Sequence, residues 1–161
     1  MFMIGEKVVH PMHGAGVIDG IVRENISGTY QEYYVFKMSA MGLVLKVPTA
    51  NAERIGLRAL DEASCVEEVL QKLPALPAEM SGNWNQRYRE NLERLKSGRL
   101  LEVAVVIKGL MLRGRGRSLS TGERKMLSAA KQILISEISL TQNVDYHVAE
   151  QEIDEAVVPQ D

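Results

Sequence analysis

The chain has 161 residues, of which 45% are hydrophobic and 25% are charged, and this composition fits one or two small globular domains. Its single cysteine, Cys65, excludes an internal disulfide framework and is typical of a protein in a reducing cytosol. The longest apolar run, at residues 103–107, is too short to span a bilayer, and the first residues do not resemble a secretory signal. We therefore expect a cytoplasmic protein without membrane contact.

The formal net charge of −2 hides a strong asymmetry along the chain. Residues 80–132 carry twelve Lys and Arg residues against four Glu, whereas residues 133–161 carry seven acidic residues and no Lys or Arg. A concentrated basic block is the usual electrostatic signature of a polyanionic partner such as nucleic acid. It also occurs as a set of solvated helix faces, and composition alone leaves both interpretations open.

The N-terminal part of the chain has the pattern of β-strands. Short runs rich in β-branched and aromatic residues alternate with glycine-containing turns, in the segments EKVVH, GAGVIDGIV, QEYYVFKM and LVLKVP. About five strands in fewer than about sixty residues cannot form a sandwich, so we predict a small SH3-like or Tudor-like β-barrel over residues 1–58. Barrels of this size are usually binding modules.

Helix patterns fill the remainder of the chain, and we predict an all-α bundle of about four helices over residues 59–161. Asn83 is expected to cap one helix, and Ser120, with Glu123 three positions later, is expected to cap another. The arginine-glycine segment at residues 113–117 is predicted to break the third helix, and the acidic tail, from residue 141, is expected to fray at its end. The predicted fold class is therefore α+β with two domains.

No enzyme motif is evident in the sequence. Gly14, Ala15 and Gly16 are followed neither by a third glycine three residues later nor by a helix pattern, which excludes a dinucleotide-binding loop. His10 and His13 stand three apart, but a metal site needs three or four converging ligands, so we expect a structural role for this pair. We expect no catalytic residue, no metal and no cofactor.

Trp84 is the single tryptophan of the chain, and its helix carries an apolar stripe. At about 100° per residue it shares one arc with Tyr88, Leu92 and Leu95, and a tryptophan on such a stripe usually belongs to the core. Its place in the first helical turn favours a different role, because free backbone N–H groups and the positive end of the helix dipole attract phosphate there. Pattern alone favours burial and leaves exposure as the alternative.

A second group of basic residues lies along the predicted fourth helix and the segment before it. Arg124, Ser128 and Lys131 follow i, i+4 and i+7 along the edge of the apolar face, a spacing suited to successive backbone phosphates. The alternative is a solvated helix edge. The arginine-glycine segment would add three phosphate contacts, namely Arg113, Arg115 and Arg117. No helix suited to reading bases is apparent, so such binding should be weakly sequence-specific and strongly salt-dependent.

Five segments of the sequence resemble the CarD/CdnL family of bacterial transcription regulators: IGEKVVHPMHGAGVI, QEYYVFKM, LKVPTANAERIGLR, NWNQRYRENLERLKSG and LSTGERKMLSAAKQIL. They occur in order over residues 4–138, and only the acidic tail lies outside the resemblance. The resemblance implies a Tudor-like N-terminal domain, related to that of the transcription-repair coupling factor, that binds the β subunit of RNA polymerase. It also implies a helical domain that contacts promoter DNA at the upstream edge of the melted bubble. There a tryptophan wedge in the minor groove stabilises the open complex.

Position by position, the resemblance implies that Trp84 is the wedge. The DNA contacts that it implies nearby are basic side chains on the same helix and in the GERKML segment, namely Arg87, Arg89, Arg124 and Lys125. This reverses the preference for burial, and we expect a partly exposed indole supported from behind by Tyr88 and Leu92. The arginine usual in the family is replaced at Gln86, which removes one implied contact.

On the barrel, the resemblance implies that Lys46 contacts the polymerase. Glu24 stands where the family has a second polymerase-facing arginine, so Arg23, one residue before it, is the second candidate. The expected protein is a monomer that associates with the nucleoid through RNA polymerase and contacts promoter DNA. Two rival hypotheses are a protein–protein adaptor whose helical part binds no DNA, and a metalloenzyme built on His10 and His13.

Overall fold

The computed structural model describes residues 1–38, 42–60 and 63–157. In these residues a sheet precedes a set of helices, which confirms the predicted α+β fold with two domains. The strands are β1 (Lys7–His10), β2 (Gly14–Ile26), β3 (Thr29–Met38), β4 (Leu43–Pro48) and β5 (Arg58–Ala59). The helices are α1 (Ala63–Lys72), α2 (Trp84–Lys96), α3 (Leu100–Gly116), α4 (Thr121–Gln142) and α5 (Tyr146–Val157).

The strands form one antiparallel sheet in the order β4-β3-β2-β1-β5. A register shift between Ile18 and Gly20 interrupts the pairing of β2 with β3, and a bulge of this kind bends a strand and increases its twist. The bend lets the sheet curl around a small apolar core. Its fully buried members include Val8, Ile18, Tyr34, Phe36, Met38 and Val47.

A separate apolar core lies among the helices. Its largest fully buried side chains include Leu73, Ile107, Leu110, Leu134, Ile138 and Ile153. The helix α3 ends at Gly116, inside the arginine-glycine segment predicted to break it, and Arg117 follows in extended conformation. Arg113 and Arg115 lie in its last turn, where the negative end of the helix dipole favours cations.

The acidic tail is helical at residues 146–157, and residues 158–161, where fraying is predicted, lie outside the described residues. It forms α5, in which Ala149, Ile153 and Val157 follow an i, i+4, i+8 stripe and are all 0% exposed in the helical core. Asn143 ends α4 in the left-handed conformation, with φ of 56°, and reverses the chain so that α5 packs back on the bundle. In the described residues the bundle therefore has five helices rather than about four.

The two domains contact each other where β2 begins. The backbone N–H of Ala15 donates a hydrogen bond of 2.6 Å to Oγ of Ser136 on α4, and that hydroxyl donates in turn to the carbonyl oxygen of Ile133. Nearby, Nη2 of Arg58 lies 3.7 Å from Oε2 of Glu137, whose side chain is 0% exposed. A buried hydrogen bond and a largely buried ion pair therefore join the sheet to α4.

We expect Gly14→Ala to weaken this contact between the domains. Gly14 has φ of +101°, and a Cβ there would clash with Oγ of Ser136 and lie 3.0 Å from Cα of Ile133. The strained backbone and the overlap together should lower the free energy of unfolding by roughly 1–3 kcal/mol in urea titrations. Gly20→Ala is the control, because no atom lies within 4 Å of the corresponding Cβ position. Equal losses in both variants would contradict the expectation.

Candidate nucleic-acid interface

Three helix ends meet on one side of the helical domain: the starts of α2 and α4 and the end of α3. The side chain of Asn83 accepts a hydrogen bond from the backbone N–H of Gln86, and that of Ser120 accepts one from the backbone N–H of Glu123, at 3.0 and 3.1 Å. Both predicted helix caps are therefore confirmed. They place the positive ends of two helix dipoles on the same side of the domain.

Trp84 lies at the start of α2 with its side chain partly open to solvent. It is 43% exposed, and its ring stacks on Tyr88 with centroids 5.1 Å apart and an angle of 16° between the planes. Its Nε1–H donates a hydrogen bond of 3.0 Å to Oγ of Ser120, the cap of α4. Tyr88 covers one face of the indole. Because the side chain is nevertheless partly exposed, the burial that the sequence pattern favours is wrong, and the expected partial exposure is confirmed. Leu92 packs against the helical core.

Arg87 occupies a different position from the one that the resemblance implies. It is 3% exposed, and its Nε and Nη2 donate to the two carboxylate oxygens of Glu123 at 2.7 and 3.2 Å. Its Nη1 also donates to the carbonyl oxygens of Ser81 and Gly82. These bonds engage the guanidinium inside the protein, so a direct phosphate contact by Arg87 does not fit the structure.

Glu123 forms the centre of this buried group. The hydrogen bond from Arg87 is the main reason that its pKa lies below the ordinary value of 4.5; burial opposes this, and the charges of Arg87 and Arg113 add to it. Nε of Arg113 lies 4.0 Å from Oε2 of Glu123, and the Arg113 side chain is 22% exposed. Arg113 therefore faces the buried pair as well as the surface.

The remaining basic side chains at these helix ends are exposed. They are Arg89 on α2, Arg115 near the end of α3, Arg117 just after it, and Arg124 and Lys125 in the first turns of α4. The Arg124 guanidinium lies against its own helix start, where Nη2 donates to Oγ1 of Thr121 at 3.3 Å. These cations are open to solvent and remain the candidates for contacts with phosphate.

The positive charge of Lys131 is paired with two carboxylates of α5. Its Nζ lies 3.0 Å from Asp154 and 3.2 Å from Glu150, and its side chain is 17% exposed. Burial lowers the pKa of Lys131, but the hydrogen bonds to the two carboxylates outweigh burial and raise it above its ordinary value. The predicted phosphate contact of Lys131 therefore has to compete with two carboxylates that the acidic helix places on it.

We accordingly expect Lys131→Gln to affect stability more than DNA binding. Loss of two partly buried ion pairs should lower the free energy of unfolding by about 1 kcal/mol, as measured in urea. DNA affinity should change little, whereas Arg124→Gln, at an exposed position on the same helix, should reduce the salt slope of DNA binding by about 1. A larger loss of DNA affinity in Lys131→Gln than in Arg124→Gln would contradict this ranking.

On the barrel, the two predicted polymerase contacts lie on opposite faces of the sheet. The exposed Lys46 on β4 forms a hydrogen-bonded ion pair with Glu24 on β2. Successive residues of a strand point to opposite faces, so Arg23 faces away from Lys46. The Arg23 guanidinium lies instead over the ring of Tyr30, 5.8 Å from its centroid. The structure therefore does not bring Arg23 and Lys46 together on one contact surface.

The histidine pair lies where β1 turns into β2, with His10 as the last residue of β1 and His13 in the turn. The rings of His10 and His13 have centroids 4.6 Å apart, and Nδ1 of His10 accepts a hydrogen bond from the backbone N–H of Met12. Burial, helped by the nearby His13, lowers the pKa of His10 to about 4. His10 is therefore neutral near pH 7 and stabilises the turn. Within residues 1–38, 42–60 and 63–157, no group of three or more metal-ligating side chains is found.

Both domains match models of one protein family. Residues 2–60 match the CarD-like/TRCF RID domain, and residues 68–154 match the CarD C-terminal domain. The chain belongs to the CarD family. The second match extends to residue 154, which lies within α5, so the expectation that the whole acidic tail falls outside the family resemblance is wrong.

The CarD-family chain is also similar to a protein of Bacillus subtilis (strain 168) that carries the name "Putative transcription factor YdeB". The two are 31% identical over 144 residues, which cover 89% of this chain and 94% of that protein. These similarities place the protein among transcription regulators rather than enzymes. The RID domain type supports interaction with RNA polymerase in general terms. Each helix in the described part of the chain is too short or too polar to cross a membrane.

The sequence predicts only a helix-capping role for Glu123 and does not predict its buried ion pair with Arg87. Glu123 is the sole acidic residue between positions 103 and 136, inside a strongly basic block. A lone carboxylate among many cations is a signal for a buried ion pair, because it has several partners to choose from. The sequence does not show that Arg87, 36 residues away, is the partner.

Proposed function

We propose that this CarD-family protein binds the β subunit of RNA polymerase through its barrel and stabilises the open promoter complex through its helical domain. In this proposal Trp84 acts as a wedge in the minor groove at the upstream edge of the melted bubble. The observation that carries it is the partly exposed indole, held at the meeting point of two helix N-termini and stacked on Tyr88.

The surroundings of Trp84 suit DNA that is already distorted. Inserting an aromatic wedge at a base step costs a few kcal/mol of unstacking, and this cost is smallest at a junction between duplex and single strands. The exposed Arg89, Arg124 and Lys125 supply charge for backbone phosphates without selecting a sequence. The two helix N-termini add positive dipole ends on the same side.

In this proposal the barrel brings the protein to the promoter by binding the polymerase there. Binding to the polymerase raises the local concentration of the helical domain at the promoter, so a weak affinity for DNA suffices. A protein that binds the open complex more tightly than the closed one shifts the equilibrium by that difference in affinity. The proposed partnership places the protein, as a monomer, in the bacterial cytoplasm at the nucleoid.

Promoter-opening kinetics with purified polymerase, with and without the protein, test the proposal. We expect the protein to lengthen the lifetime of the open complex, and we expect this effect to weaken as salt rises. If the protein binds polymerase but leaves the lifetime unchanged, it acts as an adaptor and the DNA-contacting part of the proposal is wrong.

Lys46→Glu tests the barrel assignment. We expect polymerase binding to weaken by about tenfold, because the new carboxylate reverses the charge presented to the partner and also repels Glu24. Affinity for free DNA should stay the same, since the helical domain is unchanged. The double variant Glu24→Lys with Lys46→Glu restores the ion pair with reversed polarity and serves as the matched control. Full polymerase binding by the single variant would reject Lys46 as a contact.

A further inference from the structure

We propose that Ser120 is a positioning residue that fixes the orientation in which the indole of Trp84 meets DNA. This inference rests on the wedge function proposed above and adds a residue that does not itself need to touch DNA. In this inference the buried ion pair of Arg87 and Glu123 holds Ser120 in place.

The hydroxyl of Ser120 uses its full hydrogen-bonding capacity. Its Oγ accepts from Nε1–H of Trp84 at 3.0 Å and from the backbone N–H of Glu123 at 3.1 Å. The hydroxyl also points at Oε1 of Glu123, 3.4 Å away. A serine hydroxyl has one donor and two acceptor sites, so these three contacts leave it little freedom to rotate. The acceptor that faces the indole is therefore fixed in direction.

The carboxylate of Glu123 is fixed in turn by the helix that carries Trp84. Arg87, one turn further along α2, binds both oxygens of Glu123 and also donates to the carbonyl oxygen of Ser81 at 2.9 Å. The bonds form a closed circuit from Trp84 through Ser120, Glu123 and Arg87 back to the segment before Trp84. The start of α2 and the start of α4 are thereby held in register with each other.

The hydrogen bond and the ring stack restrain different motions of the indole. Stacking on Tyr88 fixes the plane of the ring but leaves the ring able to turn over or slide within that plane. The bond from Nε1 to Ser120 selects the edge of the indole that faces the start of α4. A wedge that spends only part of its time in the binding orientation binds more weakly by that fraction.

The test compares Ser120→Ala and Ser120→Thr in the wild type and in Trp84→Phe, using the full chain, purified polymerase and promoter DNA. Ser120→Ala removes both the acceptor for the indole and the helix cap, whereas Ser120→Thr keeps both. Phenylalanine at position 84 cannot donate a hydrogen bond. Urea unfolding measures the loss of the cap, and open-complex lifetime measures the effect on the wedge.

We expect Ser120→Ala to shorten the open-complex lifetime by about threefold and Ser120→Thr to retain it. In the Trp84→Phe background, Ser120→Ala should shorten the lifetime no further, although it should still lower stability through the loss of the helix cap. Equal, additive effects on lifetime in both backgrounds would show that Ser120 acts only as a helix cap and would overturn the inference.

Fluorescence anisotropy decay of the free protein provides a readout that needs neither DNA nor polymerase. Trp84 is the single tryptophan, so the signal reports this side chain directly. Ser120→Ala should increase its nanosecond mobility, and Ser120→Thr should not. Unchanged mobility in Ser120→Ala would overturn the positioning role and leave the wedge proposal standing. Increased mobility, combined with an open-complex lifetime that even Trp84→Ala does not alter, would overturn the wedge proposal and this inference with it.

Discussion

Trp84→Ala is expected to shorten the lifetime of the open promoter complex by roughly tenfold, because stacking of an aromatic side chain on a base contributes about 1–3 kcal/mol. The side chain is 43% exposed and lies at the rim of the helical core, so the fold should survive its removal. Polymerase binding should also be retained, since the barrel is untouched. Dissociation of preformed complexes after addition of a DNA competitor measures the lifetime.

Val148→Ala is the matched control for this substitution. Val148 is also a hydrophobic residue with 43% exposure, but it lies on α5 and takes no part in the candidate interface. We expect no change in open-complex lifetime for this variant. A Trp84→Ala protein that loses its cooperative unfolding transition would show that the indole is chiefly a core residue, and the wedge proposal would fail.

Arg87→Ala should mainly affect stability and Arg89→Ala should mainly affect DNA binding, although the two positions lie two residues apart on α2. Removal of Arg87 leaves the Glu123 carboxylate buried without its main counter-charge, which should lower the free energy of unfolding by about 3–5 kcal/mol. Removal of the exposed Arg89 should change stability by less than about 0.5 kcal/mol. It should instead weaken DNA binding and reduce its salt slope by about 1. Similar stability losses in the two variants would contradict this assignment.

The buried pair also predicts how stability depends on pH. The hydrogen bond from Arg87 lowers the pKa of Glu123 in the folded protein below its ordinary value of 4.5. Stability from this pair is therefore complete above about pH 4.5 and is lost as the pH falls through the folded value. Urea titrations of wild type and Arg87→Ala across this acidic range should converge as the pH decreases. A constant difference at every pH would show that the ion pair is not the source of the loss.

Much of the fold could be predicted because its signals are local. The alternation of β-branched and aromatic residues with glycine turns predicts the barrel, and the capping residues Asn83 and Ser120 predict the starts of two helices. The helix α5 was missed because its acidic residues suggest a solvated tail, while its apolar stripe is short and includes the small Ala149. Composition dominated that prediction, although the i, i+4, i+8 spacing was present in the sequence.

The candidate site was predicted less completely, because charge alone does not show which cations are already paired. Arg87 and Lys131 look like surface cations in the sequence, yet their partners Glu123 and Asp154 lie 36 and 23 residues away and reach them only in the folded protein. Likewise, whether Arg23 shares a face with Lys46 depends on strand register. The exposed position of Trp84 was obtained from the family resemblance rather than from periodicity.

Under the proposed function, the hydrogen bond between Ala15 and Ser136 helps to fix the distance between the polymerase-binding surface and the DNA-contacting surface. It joins the start of β2 directly to α4, at a place where Gly14 leaves no room for a side chain. A regulator whose domains are in direct contact holds its two binding surfaces at a fixed separation, whereas a regulator with a flexible connection does not. Under the proposed function, a barrel bound to the polymerase would place Trp84 at one depth and one rotational phase of the DNA helix. Promoters whose bubble opens a base pair further upstream or downstream would then meet the indole at a different angle, and the fold itself would distinguish them.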